Sequence, residues 1–349
     1  MRNSLIKIFY NEKQVLENNA SSNFSKSPLK PKLLIEYLRT NNLLSNFLIT
    51  KNFNIFGNAD FKLAHTDNYI SGFFSGGYLS RSNGLEWSPQ FANSVRYTNA
   101  SLYSAIKNSI VEPETVSFSP TSGFHHARPT GGSGFCTFSG QVIASVKIWR
   151  EFNKRGCYLD LDGHFGNSIE GSREFQPELN EAIPENFNFN PTGIDYSYYE
   201  NLVGFIKNTL EPAILSGKIS YVVWCHGADS HCDDDLGHQC STEYWTKCAD
   251  FFWAWVKVMD EKLGRPLPVS CALFGGYRSD DYTTVLSLHT YDLVACINRL
   301  LGIKIDYELE VKPRKNKNSY VRYSRKRKRR LKFKTFTQVQ RLNKERSIF

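Results

Sequence analysis

Two rhythms of apolar residues alternate along the chain. Apolar runs of strand length occur at SLIKIFY (4–10), TVSF (115–118), CYL (157–159), ISYVVW (219–224) and VSCALF (269–274). The last two lack polar alternation, as strands buried on both faces do. Between these runs the apolar positions recur at helical spacing. Leu33, Leu34, Tyr37 and Leu38 form one such stripe, and Leu102, Ala105, Ile106 and Ile110 a second. Val142, Ile143, Val146 and Trp149 predict a helix that stops before Gly156. Tyr198, Leu202, Phe205 and Ile206 predict another, and Phe251, Phe252, Trp255 and Met259 a long one closed by Gly264. A final helix is expected over 281–300. Strands separated by crossover helices predict an α/β fold, with a mainly parallel central sheet and helices on both faces. Ile303, Ile305, Tyr307, Leu309 and Val311 then alternate with polar residues, which predicts a half-buried strand near the end of the body.

Composition narrows the class. At 349 residues, 41% hydrophobic and 14% aromatic, the chain is able to bury one large core or two ordinary ones, so wholesale disorder is excluded. No apolar run reaches the length of a membrane span, and no membrane partner is expected. MRNSLIKIFYNEK has no secretory pattern. A soluble chain in a reducing compartment is therefore expected, with its eight cysteines as reduced, partly buried thiols. Cys225, Cys232, Cys240 and Cys248, with His226, His231 and His238 among them, raise the idea of a second zinc site, but their spacing matches no compact pattern.

The net charge of +9 is unevenly spread. Residues 312–349 hold 16 Lys/Arg against one acid, which leaves a balance of −6 over the rest. The division expected is a body over 1–311 and a basic tail over 312–349. An acidic body suits a cationic peptide substrate, and a basic tail suits DNA, a nucleosome or an import receptor. The run SRKRKRRLKFK (324–334) points to the nucleus; without it the expectation is the cytoplasm. A solvated extension with no receptor is the plainer alternative. Tyr320, Tyr323, Phe333 and Phe336 either stack on bases or pack the tail down.

Four polar clusters each follow a predicted strand: GFHHA (123–127), DLDGHFGN (160–167), HGADSHCDDDLG (226–237) and GGY (275–277). Ligands of open α/β sheets bind beyond the carboxyl ends of strands, so the clusters should converge on one cleft. In an extended segment Asp162 and His164 face the same side. Asp229 would complete three N/O ligands with an open fourth position, the arrangement of a catalytic zinc. The His125–His126 pair supplies proton transfer near neutral pH, and Tyr277, beside two glycines, supplies a donor to a developing oxyanion. Together the parts describe a metal-assisted amide hydrolase. Asp233 and Asp235 read as a solvated loop, and His65, His226, His231, His238 and Cys225 as structural or surface residues rather than ligands.

The same stretches carry a resemblance. SGFHHA, GGSGFCTFSG, DLDGHFGN, ADSHCDDDLG and FGGY, in that order, resemble the histone deacetylase family over roughly residues 5–300. The resemblance implies the arginase/deacetylase three-layer fold and Zn²⁺ bound by Asp162, His164 and Asp229. It implies His126 as general base and then acid, with His125 as its electrostatic partner, Asp160 behind His125 and Asn167 behind His126. Tyr277 would polarise the acetyl carbonyl, Gly134 and Phe135 would line the acyl-lysine channel, and Asp234 would occupy an acidic position of the family. A potassium ion is commonly held near the Asp160–His164 segment. Two departures stand out: Asn167 is a neutral partner, which orients an imidazole without raising its basicity as a carboxylate would, and Ser27-Pro28 replaces the usual His-Pro. The expected substrate is an acetylated lysine peptide, a histone tail first among them. Alternatives are an acetylpolyamine-type small molecule, or an acyl-lysine or chromatin-binding module without turnover.

Overall fold

The computed structural model describes residues 2–16 and 25–314. Seven strands are β1 (Ile6–Phe9), β2 (Phe47–Thr50), β3 (Ser117–Ser119), β4 (Gly156–Asp160), β5 (Asn188–Phe189), β6 (Tyr221–Cys225) and β7 (Val269–Ala272). They form one sheet in the order β2-β1-β3-β7-β6-β4-β5, and every pairing is parallel. Ten α-helices accompany them: α1 (Lys30–Thr40), α2 (Asn58–Phe61), α3 (Asp67–Phe74), α4 (Pro89–Val111), α5 (Gly140–Phe152), α6 (Leu179–Ala182), α7 (Tyr196–Phe205), α8 (Glu211–Leu215), α9 (Thr242–Leu263) and α10 (Tyr282–Ala295).

The expected α/β class is the observed one. Successive side chains of a strand point to opposite faces. In β3, β4, β6 and β7 every residue is buried, so both faces of the central sheet are covered. The long helices end where local chemistry dictates. Ser88 caps α4 by accepting from Phe91 N–H, and Pro89 follows at a first-turn position where its missing donor costs nothing. Gly264 closes α9 with φ of +63°, a left-handed conformation in which a side chain is unfavourable.

Two expectations are corrected. Ile303, Ile305, Tyr307, Leu309 and Val311 do alternate between half-buried and exposed positions, but they form no ladder among the described residues. Their backbone is held by side chains instead. Asn298 binds both the N–H and the carbonyl of Ile305, and Ser287 Oγ accepts from Glu310 N. Alternation reports which side chains are covered, not what covers them. Strands β2 and β5 and helices α2, α3, α6 and α8 were not anticipated. From Lys315 onward the basic run, its aromatics and the alternation at Val321/Tyr323 and Leu331/Phe333 lie outside the described residues. No described helix is long and apolar enough to cross a membrane. All eight cysteines are free, and all but Cys232 are buried.

His65 fixes the loop between β3 and α5. Its Nδ1 donates to Arg128 O at 2.9 Å and its Nε2 accepts from Ser139 N at 2.8 Å, which is possible only for the neutral ring. Burial holds its pKa down at about 3. The unfolded chain takes up this proton near the ordinary value of 6.5 and the folded chain does not, so the unfolded state binds more protons between those limits. Stability should therefore be fully present above pH 6.5 and be lost as pH falls towards 3. His65→Asn, neutral throughout, should lower the urea midpoint at neutral pH yet flatten its dependence on acid. Equal acid slopes in the two proteins would contradict this assignment.

Candidate active site

Strands β3, β7, β6 and β4 are consecutive neighbours in the sheet. The four polar clusters leave their carboxyl ends, so parallel pairing alone delivers all four to one rim. The group is contiguous in space. Among the described residues, Asp162, His164 and Asp229 each place a ligand atom within 4.8 Å of the others. His164 Nδ1 lies 3.0 Å from both Asp162 Oδ1 and Asp229 Oδ2. The backbone fixes the outer carboxylate atoms. Gly163 N donates to Asp229 Oδ1 at 2.9 Å, and Gly275 N donates to Asp162 Oδ2 at 2.7 Å.

Burying carboxylates together is costly unless positive charge accompanies them. Burial and neighbouring Asp162 push the Asp229 carboxyl up to about 8. Burial opposes the charge of His164, but Asp162 and Asp229 outweigh it and raise the imidazole to about 11. Asp162, against the same desolvation, is held below the usual carboxylate range by His125 and His164. Two buried carboxylate oxygens and one imidazole nitrogen, so closely spaced, fit a divalent metal of zinc type.

The two histidines differ. His125 is buried, with Nδ1 3.0 Å from Asp160 Oδ2 and Nε2 3.6 Å from Asp162 Oδ1. Desolvation works against its charge, yet the two aspartates bring it up to about 9. His126 lies with its ring 4.0 Å from that of His125 and 6.1 Å from that of His164. Burial and the adjacent His125 lower it to about 4, so it is neutral at pH 7. Asn167 lies near enough to favour the charged ring slightly, although its buried Oδ1 has no donor in hydrogen-bonding geometry.

Tyr277 is half-buried, its ring 6.1 Å from His164 and 5.6 Å from Phe135. Burial and the carboxylates, Asp162 and Asp229 first, hold its phenol well above its ordinary pKa, so it remains a donor. Its backbone is clamped: Tyr277 N donates to Asp234 Oδ2 at 2.6 Å, and Tyr277 O accepts from Asp235 N at 2.7 Å. Asp235 Oδ2 also accepts from Ser279 N and Oγ, which corrects the expectation of a solvated loop there. Asp233 is half-buried. Gly134, with φ of +50°, comes so close to His126 that a Cβ would sit 2.7 Å from the ring. Phe135 adjoins it in a left-handed conformation.

Other candidates sort differently. His231, Cys232 and Asp233 form a second close group, but both nitrogens of His231 are engaged, Nε2 with Thr242 Oγ1 and Nδ1 with Asp233 N. His226 is buried and stacks on Trp245 at 3.9 Å. Two residues were missed. Phe165, 64% exposed, stands beside His164; an apolar residue inside a polar motif was the available signal. Lys30 is a fully buried lysine reaching the Phe274 carbonyl at 2.5 Å. Nothing local in the sequence marks that lysine as internal.

Comparison with known proteins agrees with this geometry. The histone deacetylase domain matches residues 25–181. Over these residues the chain is similar to the histone deacetylase family. Acetoin utilization protein AcuC of Staphylococcus aureus (strain Mu50 / ATCC 700699) is 27% identical over 138 residues, 33% of this chain and 36% of that protein. The Staphylococcus xylosus AcuC is 24% identical over 142 residues, 34% of this chain and 37% of its own length. The chain thus spans little more than a third of these relatives. An uncharacterised protein of Picosynechococcus sp. is 25% identical over 249 residues, 64% of this chain and 77% of that one. The solved HDA15 HD domain shares the fold with a TM-score of 0.66 at 15% identity, covering 86% of this chain and 89% of its own.

Two glycines make this geometry testable. A Cβ at Gly275 would lie 2.1 Å from Asp229 Oδ2 and 2.6 Å from Asp162 Oδ2, wedged between the two carboxylates. Gly275→Ala should displace both carboxylates, abolish any turnover that depends on them and lower the thermal midpoint. Gly134→Ala should lower turnover with a smaller thermal shift, because its obstacle is a half-buried ring. Full activity in Gly275→Ala would mean that the carboxylates do not need this packing.

Proposed function

We propose that the chain is a zinc-dependent hydrolase that removes acetyl groups from lysine side chains of proteins, histone tails foremost. The observation that carries this reading is the convergence, at one rim of the sheet, of the Asp162/His164/Asp229 group, a neutral His126 beside a charged His125, and a protonated Tyr277. Zinc held by those three residues would polarise the acyl carbonyl and acidify a water molecule. His126 accepts the proton that the attacking water gives up as its oxygen bonds to the carbonyl carbon. It returns a proton to the lysine nitrogen as the C–N bond breaks, leaving acetate and a free lysine. His125, clamped by Asp160, holds positive charge beside the reacting centre. Tyr277 donates a hydrogen bond to the carbonyl oxygen as it gains negative charge. The potassium ion implied by the resemblance belongs to the same proposal.

A second reading is a small-molecule substrate, of which the acetylpolyamine type is one, and it draws on AcuC, whose name refers to the utilization of a small molecule, acetoin. The charge split supports the protein reading, since +15 over 312–349 suits a phosphate polymer or an import receptor and would hold the enzyme near chromatin. A binding-only module is disfavoured, because the proton-transfer and carbonyl-polarising groups are all present.

Purified full-length protein, assayed with and without a chelator on acetyl-histone peptides and acetylpolyamines, should hydrolyse the peptides preferentially and lose activity on chelation. Asp162→Ala, His164→Ala and Asp229→Ala should each lose zinc and turnover, whereas His126→Ala and Tyr277→Phe should keep zinc and lose roughly 10²-fold or more in kcat. Stoichiometric zinc and normal turnover in all three ligand variants would sink the assignment. Charge reversal across 325–330 should disperse a fluorescent fusion from nuclei and weaken nucleosome binding while sparing peptide turnover. Unchanged localisation and affinity would reduce the tail to a solvated extension.

A further inference from the structure

Lys30 is the least expected residue of the molecule. It opens α1, next to Pro31, and its side chain is fully buried. Its ammonium donates to Phe274 O at 2.5 Å. That carbonyl and the Gly275 N–H belong to the same peptide group, and the Gly275 N–H donates to Asp162 Oδ2 at 2.7 Å. One peptide unit therefore joins a buried cation on one side to a candidate metal ligand on the other. The unit is held in an uncommon conformation. Phe274 has φ of +57°, and its N–H and that of Leu273 both point at Thr121 O. The Phe274 ring packs edge-on against His125 at 5.3 Å and lies 6.3 Å from Phe124.

We propose that Lys30 is a positioning residue that acts on the site through this single peptide group, an idea that rests on the metal reading of Asp162 given above. Charge on the carbonyl side of an amide polarises it and strengthens its N–H as a donor. Lys30 thereby fixes the direction of Asp162 Oδ2 and leaves Oδ1 facing His164. The same contact holds Phe274 in place, so its ring continues to buttress His125, and Tyr277 follows three residues later on the same turn. An ammonium is needed for this; a neutral donor would satisfy the carbonyl without the same polarisation. The lysine touches neither substrate nor metal, and its effect should appear in the rate of the chemical step rather than in substrate affinity.

The test compares wild type, Lys30→Gln and Lys30→Met. Full-length, metal-free protein carrying carbonyl-¹³C phenylalanine and ¹⁵N glycine reports only Phe-Gly steps. The chain has three of these, Phe56-Gly57, Phe165-Gly166 and Phe274-Gly275, which Phe56→Leu and Phe165→Leu assign by elimination. The Gly275 amide proton should move upfield in Lys30→Gln and further in Lys30→Met. In the zinc-loaded proteins kcat should fall in the same order, by roughly tenfold or more in Lys30→Met, with KM changed less than about threefold. A Gly275 resonance that does not move in Lys30→Met would overturn the relay. So would rates that follow the thermal midpoint instead of the order of charge, because packing alone would then account for the lysine. If Lys30→Met does not fold, the comparison of Lys30→Gln with wild type decides on the same criteria. If wild type hydrolyses no acyl-lysine, the deacetylase reading has failed on its own, and the resonance comparison alone decides the relay.

Discussion

Asp160, Asp162 and Asp229 are almost completely removed from water at the end of a sheet whose central strands are apolar throughout, and the surrounding structure answers that cost. An isolated buried carboxylate would take up a proton rather than stay charged. Here each one has partners, although burial and neighbouring Asp162 still push the Asp229 carboxyl up. Asp160 and Asp162 flank His125, Asp162 and Asp229 share His164, and the outer oxygens accept backbone N–H groups. The remaining demand for positive charge is what makes a divalent cation the natural partner of the Asp162/His164/Asp229 group. It also separates the two histidines: the one between aspartates is charged, and its neighbour, repelled by it, is neutral.

Parallel topology makes this concentration possible. In an antiparallel arrangement the loops of neighbouring strands would leave opposite ends of the sheet. With β3, β7, β6 and β4 running the same way, residues distant in sequence arrive at one rim, each returned to it by a crossover connection. The rim is packed tightly enough that Gly275 has no room for a side chain between the Asp162 and Asp229 carboxylates.

Much of this was legible in the sequence because the information was local. Long apolar stripes such as Phe251, Phe252, Trp255 and Met259 fall within the helix Thr242–Leu263, and ISYVVW supplies all but the last residue of the strand Tyr221–Cys225. DLDGH places Asp162 and His164 on one segment, so their shared direction followed from spacing. What was not legible depends on partners far along the chain. FLIT and the two-residue strand Asn188–Phe189 are too short to show a period, and sheet neighbours alone define them. The alternation at Ile303–Val311 was genuine, but helix side chains rather than a neighbouring strand satisfy its backbone. Lys30 meets a carbonyl 244 residues away, and Asp235 meets Ser279 44 residues away. No local pattern distinguishes such residues from solvated ones.

The central claim is that the three residues drawn together at the rim hold a catalytic zinc ion. Anomalous diffraction from crystals of the full-length protein, recorded on both sides of the zinc absorption edge, tests it directly. The account requires a zinc signal bounded by Asp162, His164 and Asp229. A signal confined to the group at His231, Cys232 and Asp233, or a zinc-saturated crystal with none at the rim, would contradict it.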